Sequence, residues 1–300
     1  MRKTHEKATS KHRNAEYRRT TTLMAIPGTF LYSFFFIVPV CLGVYYSFTD
    51  WNGVKRTNNF VGFANYVKAL TSKRFLNSIV FNLKYTFFYV ILLVILATII
   101  AMLLNNKIKG ITTFRAFYFL PAVFSGVTIS LIFNQVYFRV IPSFAKTLGI
   151  TSLEQSLLSS KSTAMWAIMF VNLWCALPMQ SILILAGLQT VPEDLLEAAR
   201  IDGANRVQIF HYVTFPHLIP TLSVVLVLAV KAGLMIFDLI KVLTDGGPNN
   251  ATRSVSMLIY ADAFENKRYA IAMAEAIMIG IVIAAISYIQ LRISNKSKTD

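Results

Sequence analysis

Six long apolar stretches alternate with short polar ones along this chain. Residues 23–48, 79–104, 116–138, 162–189, 218–243 and 270–291 are dominated by Leu, Ile, Val, Phe and Ala and are almost free of charge. About 20 apolar residues in a helix cross the hydrocarbon core of a bilayer. Each stretch therefore predicts one transmembrane helix, with length to spare for tilt. Pro27 and Pro39 fall inside or at the edge of the first, which a membrane helix tolerates. That stretch ends in Tyr45, Tyr46, Phe48 and Trp51, an aromatic belt of the kind found at a membrane interface. The pattern predicts an all-α polytopic membrane protein with six transmembrane helices between residues 23 and 291.

The longest polar interruption departs from this pattern. From Gly187 the chain reads GLQTVPEDLLEAARIDGANRVQIFHYVTFPHLIP. Thr190 precedes Glu193 by three residues, the spacing of a capping box. Pro192 suits a helix start, and Glu193 and Asp194 put negative charge at the positive end of the helix dipole. The helix is expected over residues 195–202. Leu195, Ala198, Ala199 and Asp202 then share one face, and Glu193, Glu197 and Arg200 the other, where Glu197 and Arg200 are placed to pair. Gly203 ends it, because only glycine enters the left-handed region without cost. A second short helix over 204–213 follows, before Pro216 and Pro220 redirect the chain. The expectation is a helix–glycine turn–helix finger over 190–216. An interfacial hairpin lying on lipid is the competing reading of this segment. Such hairpins are rich in Lys and Arg with bulky apolar residues, whereas this one is acidic and rich in alanine, which favours a protein partner.

The string EAARIDGA (Glu197 to Ala204), followed by Phe215-Pro216, resembles the EAA loop of binding-protein-dependent ABC importer permeases. Its IDGA portion is similar to the carbohydrate-uptake branch, the maltose-type permeases. YYSFTDW and FVGFANYVKAL (Phe60 to Leu70, expected as a short helix at the outer surface) resemble that family's first external loop. FRAFYFLPAVFSG and LWCALPMQSILILAGL resemble its third and fourth core helices. TDGGPNNAT (Thr244 to Thr252) keeps Gly246, Gly247 and Pro248 of the family's loop but has Asp245 where a glycine is usual. The resemblance implies the type I ABC importer permease fold. It implies that the finger couples to a cytoplasmic ATPase through Glu197, Ala198, Ala199, Asp202 and Gly203. The implied partners are a second homologous permease, an ABC ATPase dimer, an extracytoplasmic solute-binding protein and a saccharide.

Composition agrees with a membrane chain. Charged residues make up 14% of the 300, and mean hydropathy is +0.56, too apolar for a soluble domain of this size. The net charge of +15 comes largely from Lys and Arg in short flanking segments, with no RNA-binding signature, so no nucleic-acid partner is expected. Residues 1–22 are basic and read as a cytoplasmic tail meeting anionic lipid headgroups. The apolar run that follows is too long for a cleavable signal. Residues 292–300 read as a second cytoplasmic tail. Lys and Arg are modestly enriched on the side holding both termini, the 105–115 loop and the finger, which predicts that side to be cytoplasmic; the family resemblance implies a bacterial inner membrane. Cys41 and Cys175 lie in apolar runs with no disulfide or metal spacing. No glycine is followed by lysine, so no phosphate-binding P-loop can be written. The expectation is a transport subunit that binds no cofactor and is not an enzyme, with ATP on a partner chain.

Charges inside the spans mark candidate solute contacts. A charged side chain at the bilayer centre costs about 2.5–3.5 kcal/mol on insertion scales. Lys231 lies near the middle of the fifth stretch. Asp238 follows seven residues on and is expected on the same face. Both are candidates for a polar cavity, with snorkelling or structural pairing as the alternative. Asn134, Gln135, Asn172 and Trp174 are candidate sugar contacts, or else interhelical ties worth about 0.6–2 kcal/mol. Glu275 reads as structural. A stand-alone ion-coupled transporter would use Lys231, Asp238 and Glu275 as a relay, but leaves the finger without a role.

Overall fold

The computed structural model describes residues 21–106 and 110–296, which are helical apart from short connections. The basic tail expected over 1–22 lies outside the described residues but for its last two, as do Lys107 and Lys109. The helices are α1 (Thr21–Ser47), α2 (Ala64–Thr71), α3 (Lys73–Leu104), α4 (Ile111–Val123), α5 (Gly126–Leu148), α6 (Lys161–Leu188), α7 (Glu193–Ile201), α8 (206–234), α9 (Asp238–Leu243), α10 (255–265) and α11 (Tyr269–Lys296). Among the described residues six helical segments are long and apolar enough to cross a membrane. The expected short outer helix is α2. The last helix continues to Lys296, into the stretch expected as a tail.

The third span differs from the expected 116–138. Phe124 and Ser125 are extended (ψ 148° and 138°) and divide it into α4 and α5. The latter runs on to Leu148, through part of the stretch expected as a Ser-rich loop.

Three of the prolines within these helices are preceded by a widened turn. Five-residue π turns occupy Ser33–Ile37, Val136–Val140 and Phe210–Thr214. Pro39, Pro142 and Pro216 each follow two residues later. A proline ring clashes with the carbonyl four residues back and offers no N–H to it. In a π turn the bond goes five back instead, as in Phe215 N–H to the Phe210 carbonyl, and the carbonyl four residues before the proline is free to move aside. The expected redirection at Pro216 and Pro220 is absent, and α8 passes through both.

The core forms where α3, α6 and α8 cross. Tyr85, Tyr89, Leu93, Ile168, Met169 and Ile240 are almost wholly buried at one end of it, and Ala97, Ala101, Leu104, Ile184, Leu218 and Val225 at the other. Lipid tails are as apolar as leucine, so helices in a membrane gain by close fit. Small residues supply it here. A Cβ on Gly233 of α8 would lie 2.8 Å from Thr86 Oγ1 and 3.1 Å from its Cα, and one on Gly187 of α6 would lie 2.6 Å from Thr221 Oγ1. By contrast, the best membrane-crossing window of α1 has none of its residues buried within this chain. Between α1 and α2, Asp50 accepts from the Asn59 backbone N–H at 2.7 Å. That donor, with the Asn59 side chain and Lys55 adding to it, holds the Asp50 carboxyl below the usual carboxylate range.

Candidate functional site

The finger stands at the end of the bundle where α3 and α6 finish. Its first helix, α7, spans Glu193–Ile201, with Glu193 and Asp194 in the first turn and no buried residue. The predicted capping box is not formed. Pro192 is the N-cap and has no side-chain acceptor, while the Thr190 hydroxyl donates back to the Gly187 carbonyl at 2.8 Å and finishes α6 instead. The capping box sits one helix later. Asn205 accepts from the backbone N–H groups of Val207 and Gln208 at 3.0 and 2.9 Å, and Gln208 accepts from Asn205 N–H at 2.8 Å. The expected Glu197–Arg200 pair is not among the ion pairs of the described residues. Both side chains are exposed, so water screens what attraction remains.

Gly203 behaves as its sequence position demands. Its φ is +79°. The Ala204 N–H donates to the Ala199 carbonyl at 3.0 Å and the Gly203 N–H to the Arg200 carbonyl at 3.1 Å, the bond pair of a Schellman motif. This turn reverses the chain into α8. The second half of the finger is thus continuous with the fifth span rather than a separate short helix.

Little of the finger is covered by its own chain. Glu197, Ala198, Asp202 and Gly203 are exposed and Ala199 half-buried. Leu195, Ile201, Val207 and Tyr212 are 52%, 85%, 76% and 74% exposed. Four large apolar side chains left open on so short a segment are a surface of the kind that marks an interaction site. Behind it lies a cavity of about 590 Å³, bounded by Met102, Asn105 and Leu188 and by Arg200, Arg206 and Phe210 of the finger.

The candidate solute contacts lie further along the bundle. Asn172 on α6 donates to the Tyr85 hydroxyl on α3 at 2.9 Å. Asn134 on α5 donates to the Leu243 carbonyl at the end of α9, at 3.3 Å. Both amides thus tie helices together. Trp174 packs edge-on against Phe133, with ring centroids 5.4 Å apart, and keeps 41% of its surface exposed. Gln135 is exposed. Lys231 is exposed in the last turn of α8.

Lys231 and Asp238 do not share a helix face as expected. Helix α8 stops at Met235 (φ −100°, ψ 12°), Phe237 is non-helical (φ −138°, ψ −65°), and Asp238 opens α9. A residue not singled out from the sequence holds this break. Asn82 of α3 is 1% exposed. It donates to the Leu234 carbonyl at 2.6 Å and accepts from the Val255 N–H at 3.0 Å. It therefore satisfies a carbonyl freed by the break and an amide at the start of α10.

Known proteins resemble this arrangement over nearly its whole length. Residues 66–299 match the family described as binding-protein-dependent transport system inner membrane component. The multiple sugar-binding transport system permease protein MsmF of Streptococcus mutans is 44% identical over 262 residues, covering 87% of this chain and 90% of that one. The trehalose/maltose transport system permease protein MalF of Thermococcus litoralis is 33% identical, covering 90% and 92%. Among solved structures, a chain of a bacterial ABC transporter involved in the import of the acidic polysaccharide alginate superposes with a TM-score of 0.81 at 21% identity, covering 95% of this chain and 98% of that one. That likeness is one of fold. The family is one of transport subunits, not of enzymes, and its dependence on a binding protein does not fit a stand-alone ion-coupled carrier. The chain is a multi-pass membrane protein and belongs to the binding-protein-dependent transport system inner membrane components, the permease subunits of ABC importers.

Proposed function

We propose that this chain forms, with a second related permease, the translocation path for a saccharide, and that its finger docks on a cytoplasmic ATPase. The observation that carries this is the finger itself. It is an acidic, alanine-rich helix closed by a left-handed glycine, with Leu195, Ile201 and Val207 left in the open. Such a surface fits a protein cleft better than a headgroup layer. The saccharide class follows from the sugar transport named for the two curated relatives.

On this reading Glu197, Ala198, Ala199, Asp202 and Gly203 make the contact. The finger and both termini face the cytoplasm, ATP is bound by the partner rather than by this chain, and an extracytoplasmic binding protein delivers solute to the opposite end. Closure of the ATPase dimer displaces the finger, and α8 carries the displacement to the break at 235–237. Lys231 and Asp238 flank that break and are the proposed path residues, together with Trp174 and Gln135. Asn172 and Asn134 act by fixing the helices that line the path. The shift between outward and inward states comes from the ATPase binding one state better than the other.

The test is purification of the tagged full chain from its host in a mild detergent, with identification of what accompanies it. Co-purification of an ABC ATPase and a second permease supports the reading. Recovery of the chain alone overturns it.

A further inference from the structure

We propose that the end of the bundle opposite the finger carries a site for an anionic phospholipid, whose phosphate is held between α3, α6 and the loop before α10. A cavity of about 490 Å³ opens there. Lys73, Arg74, Lys84, Lys161 and Arg253 line it, and no aspartate or glutamate does. None of the five takes part in an ion pair among the described residues. The buried Nε of Arg253 has no hydrogen-bond partner.

Five cations around one cavity repel each other, and a buried guanidinium N–H without an acceptor is costly. Both are relieved by a bound oxyanion. A neutral saccharide offers no charge to match.

The walls beyond the cations say which anion. Lys73 and Lys84 lie on one face of α3, eleven residues apart, which is about 16 Å of helix. Lys84 thus sits below the headgroup layer, and its side chain leans back toward the helix start, in the direction of Lys73. Continuing down the same face, the next residues are Phe88, Ile91 and Ile95, with the two isoleucines 41% and 52% exposed. On the α6 side Trp166 lines the cavity, and Phe170 follows one turn deeper at 59% exposure. A basic head over an apolar slot matches a phosphate ester with an acyl chain. A soluble phosphate or uronate leaves the slot unfilled. With the finger cytoplasmic, as proposed above, this end meets the outer leaflet; the lipid site itself does not depend on that orientation.

The experiment uses the full chain, purified with whatever subunits accompany it and depleted of native lipid. It is titrated with phosphatidylglycerol or phosphatidylcholine of the same acyl chains, and retained lipid is read by native mass spectrometry. Wild type is expected to hold phosphatidylglycerol more than tenfold better than phosphatidylcholine. The preference is expected to weaken by about fivefold for each cation removed, hence to vanish in Lys84→Gln/Arg253→Gln, and to weaken with rising salt. Lys84→Arg alone keeps it, as does Lys55→Gln/Arg56→Gln outside the cavity. If the double variant is lost to misfolding, Lys161→Gln alone reads the same fivefold. Equal retention of the two lipids overturns the proposal. So does an unchanged preference in the cavity variants, the result expected if a second permease covers this face. Displacement of the lipid by millimolar inorganic phosphate or an oligogalacturonate, each without a chain, also overturns it and reassigns the site to a soluble anion.

Discussion

Replacing Gly203 tests the finger most directly, because the structure isolates a single physical cause. At φ +79° an L-residue brings its Cβ against the following carbonyl, at about 1–2 kcal/mol. Nothing else lies within 4 Å of where that Cβ would stand, so no steric term from neighbours is added. Gly203→Ala should therefore cost about 1–2 kcal/mol. Gly203→Val should cost more, because a β-branched side chain is disfavoured there further. Gly203→Asn should cost least, since asparagine tolerates the left-handed region. The cheapest escape is to unwind the last turn of α7, giving up the Ala204–Ala199 and Gly203–Arg200 bonds. Because α7 has no buried residue, that escape leaves the membrane core intact. The strain is thus localised at the docking element, where 1–2 kcal/mol shifts an ordered-to-disordered balance by a factor of about 5–30. The assay is ATPase co-purification together with solute uptake in vesicles, with thermal stability of the detergent-purified chain as the control. The expected order is wild type, then asparagine, alanine and valine, for both ATPase retention and uptake, with stability almost unchanged. Normal coupling by the valine variant would refute the role given to this turn. A loss of stability parallel to the loss of uptake would show that the finger supports the fold rather than the contact.

Asn82→Leu should lower stability by about 2–6 kcal/mol, at about 1–3 kcal/mol for each buried group left unpaired, here the Leu234 carbonyl and the Val255 N–H; an unchanged melting temperature would refute the account of the break. Gly233→Val forces atoms into the Thr86 backbone and should cost about 1–3 kcal/mol, read as a lower melting temperature that the relaxing substitution Thr86→Ala does not fully restore, since Cα remains in the way. Lys231→Ala should leave stability within about 0.5 kcal/mol, as expected of an exposed side chain, while altering solute affinity or selectivity in uptake; unchanged transport with impaired folding would place Lys231 in a structural role.

The spans other than the third were legible in the sequence because each is a local property. An uninterrupted apolar run must satisfy its backbone within itself once it leaves water, and a helix is the way a single segment does so. Gly203 was legible for the same reason: the left-handed turn that closes α7 depends on one residue's missing Cβ and on bonds within five positions. What misled at short range were choices between two local partners. Thr190 was equally placed to cap α7 or to finish α6, and it takes the Gly187 carbonyl. Asn205, with Gln208 at the same spacing, forms the box that Thr190 does not.

The break between Lys231 and Asp238 was not legible at all. Nothing apolar changes between residues 218 and 243, and the carbonyl and amide exposed there are satisfied by Asn82, which lies 152 residues from Leu234 and 173 from Val255 in the chain. Asn134 reaches Leu243 across 109 residues, and that is what separates its structural use from the solute contact its amide suggests. Sequence alone determined five of the six membrane segments and where the finger turns, since the first follow from the solvation of a segment's own backbone and the second from a single missing Cβ. Only the tertiary structure decided where a membrane helix stops and which polar side chains remain free, because in an apolar medium a donor or acceptor is committed by whichever distant partner packing brings within 3 Å.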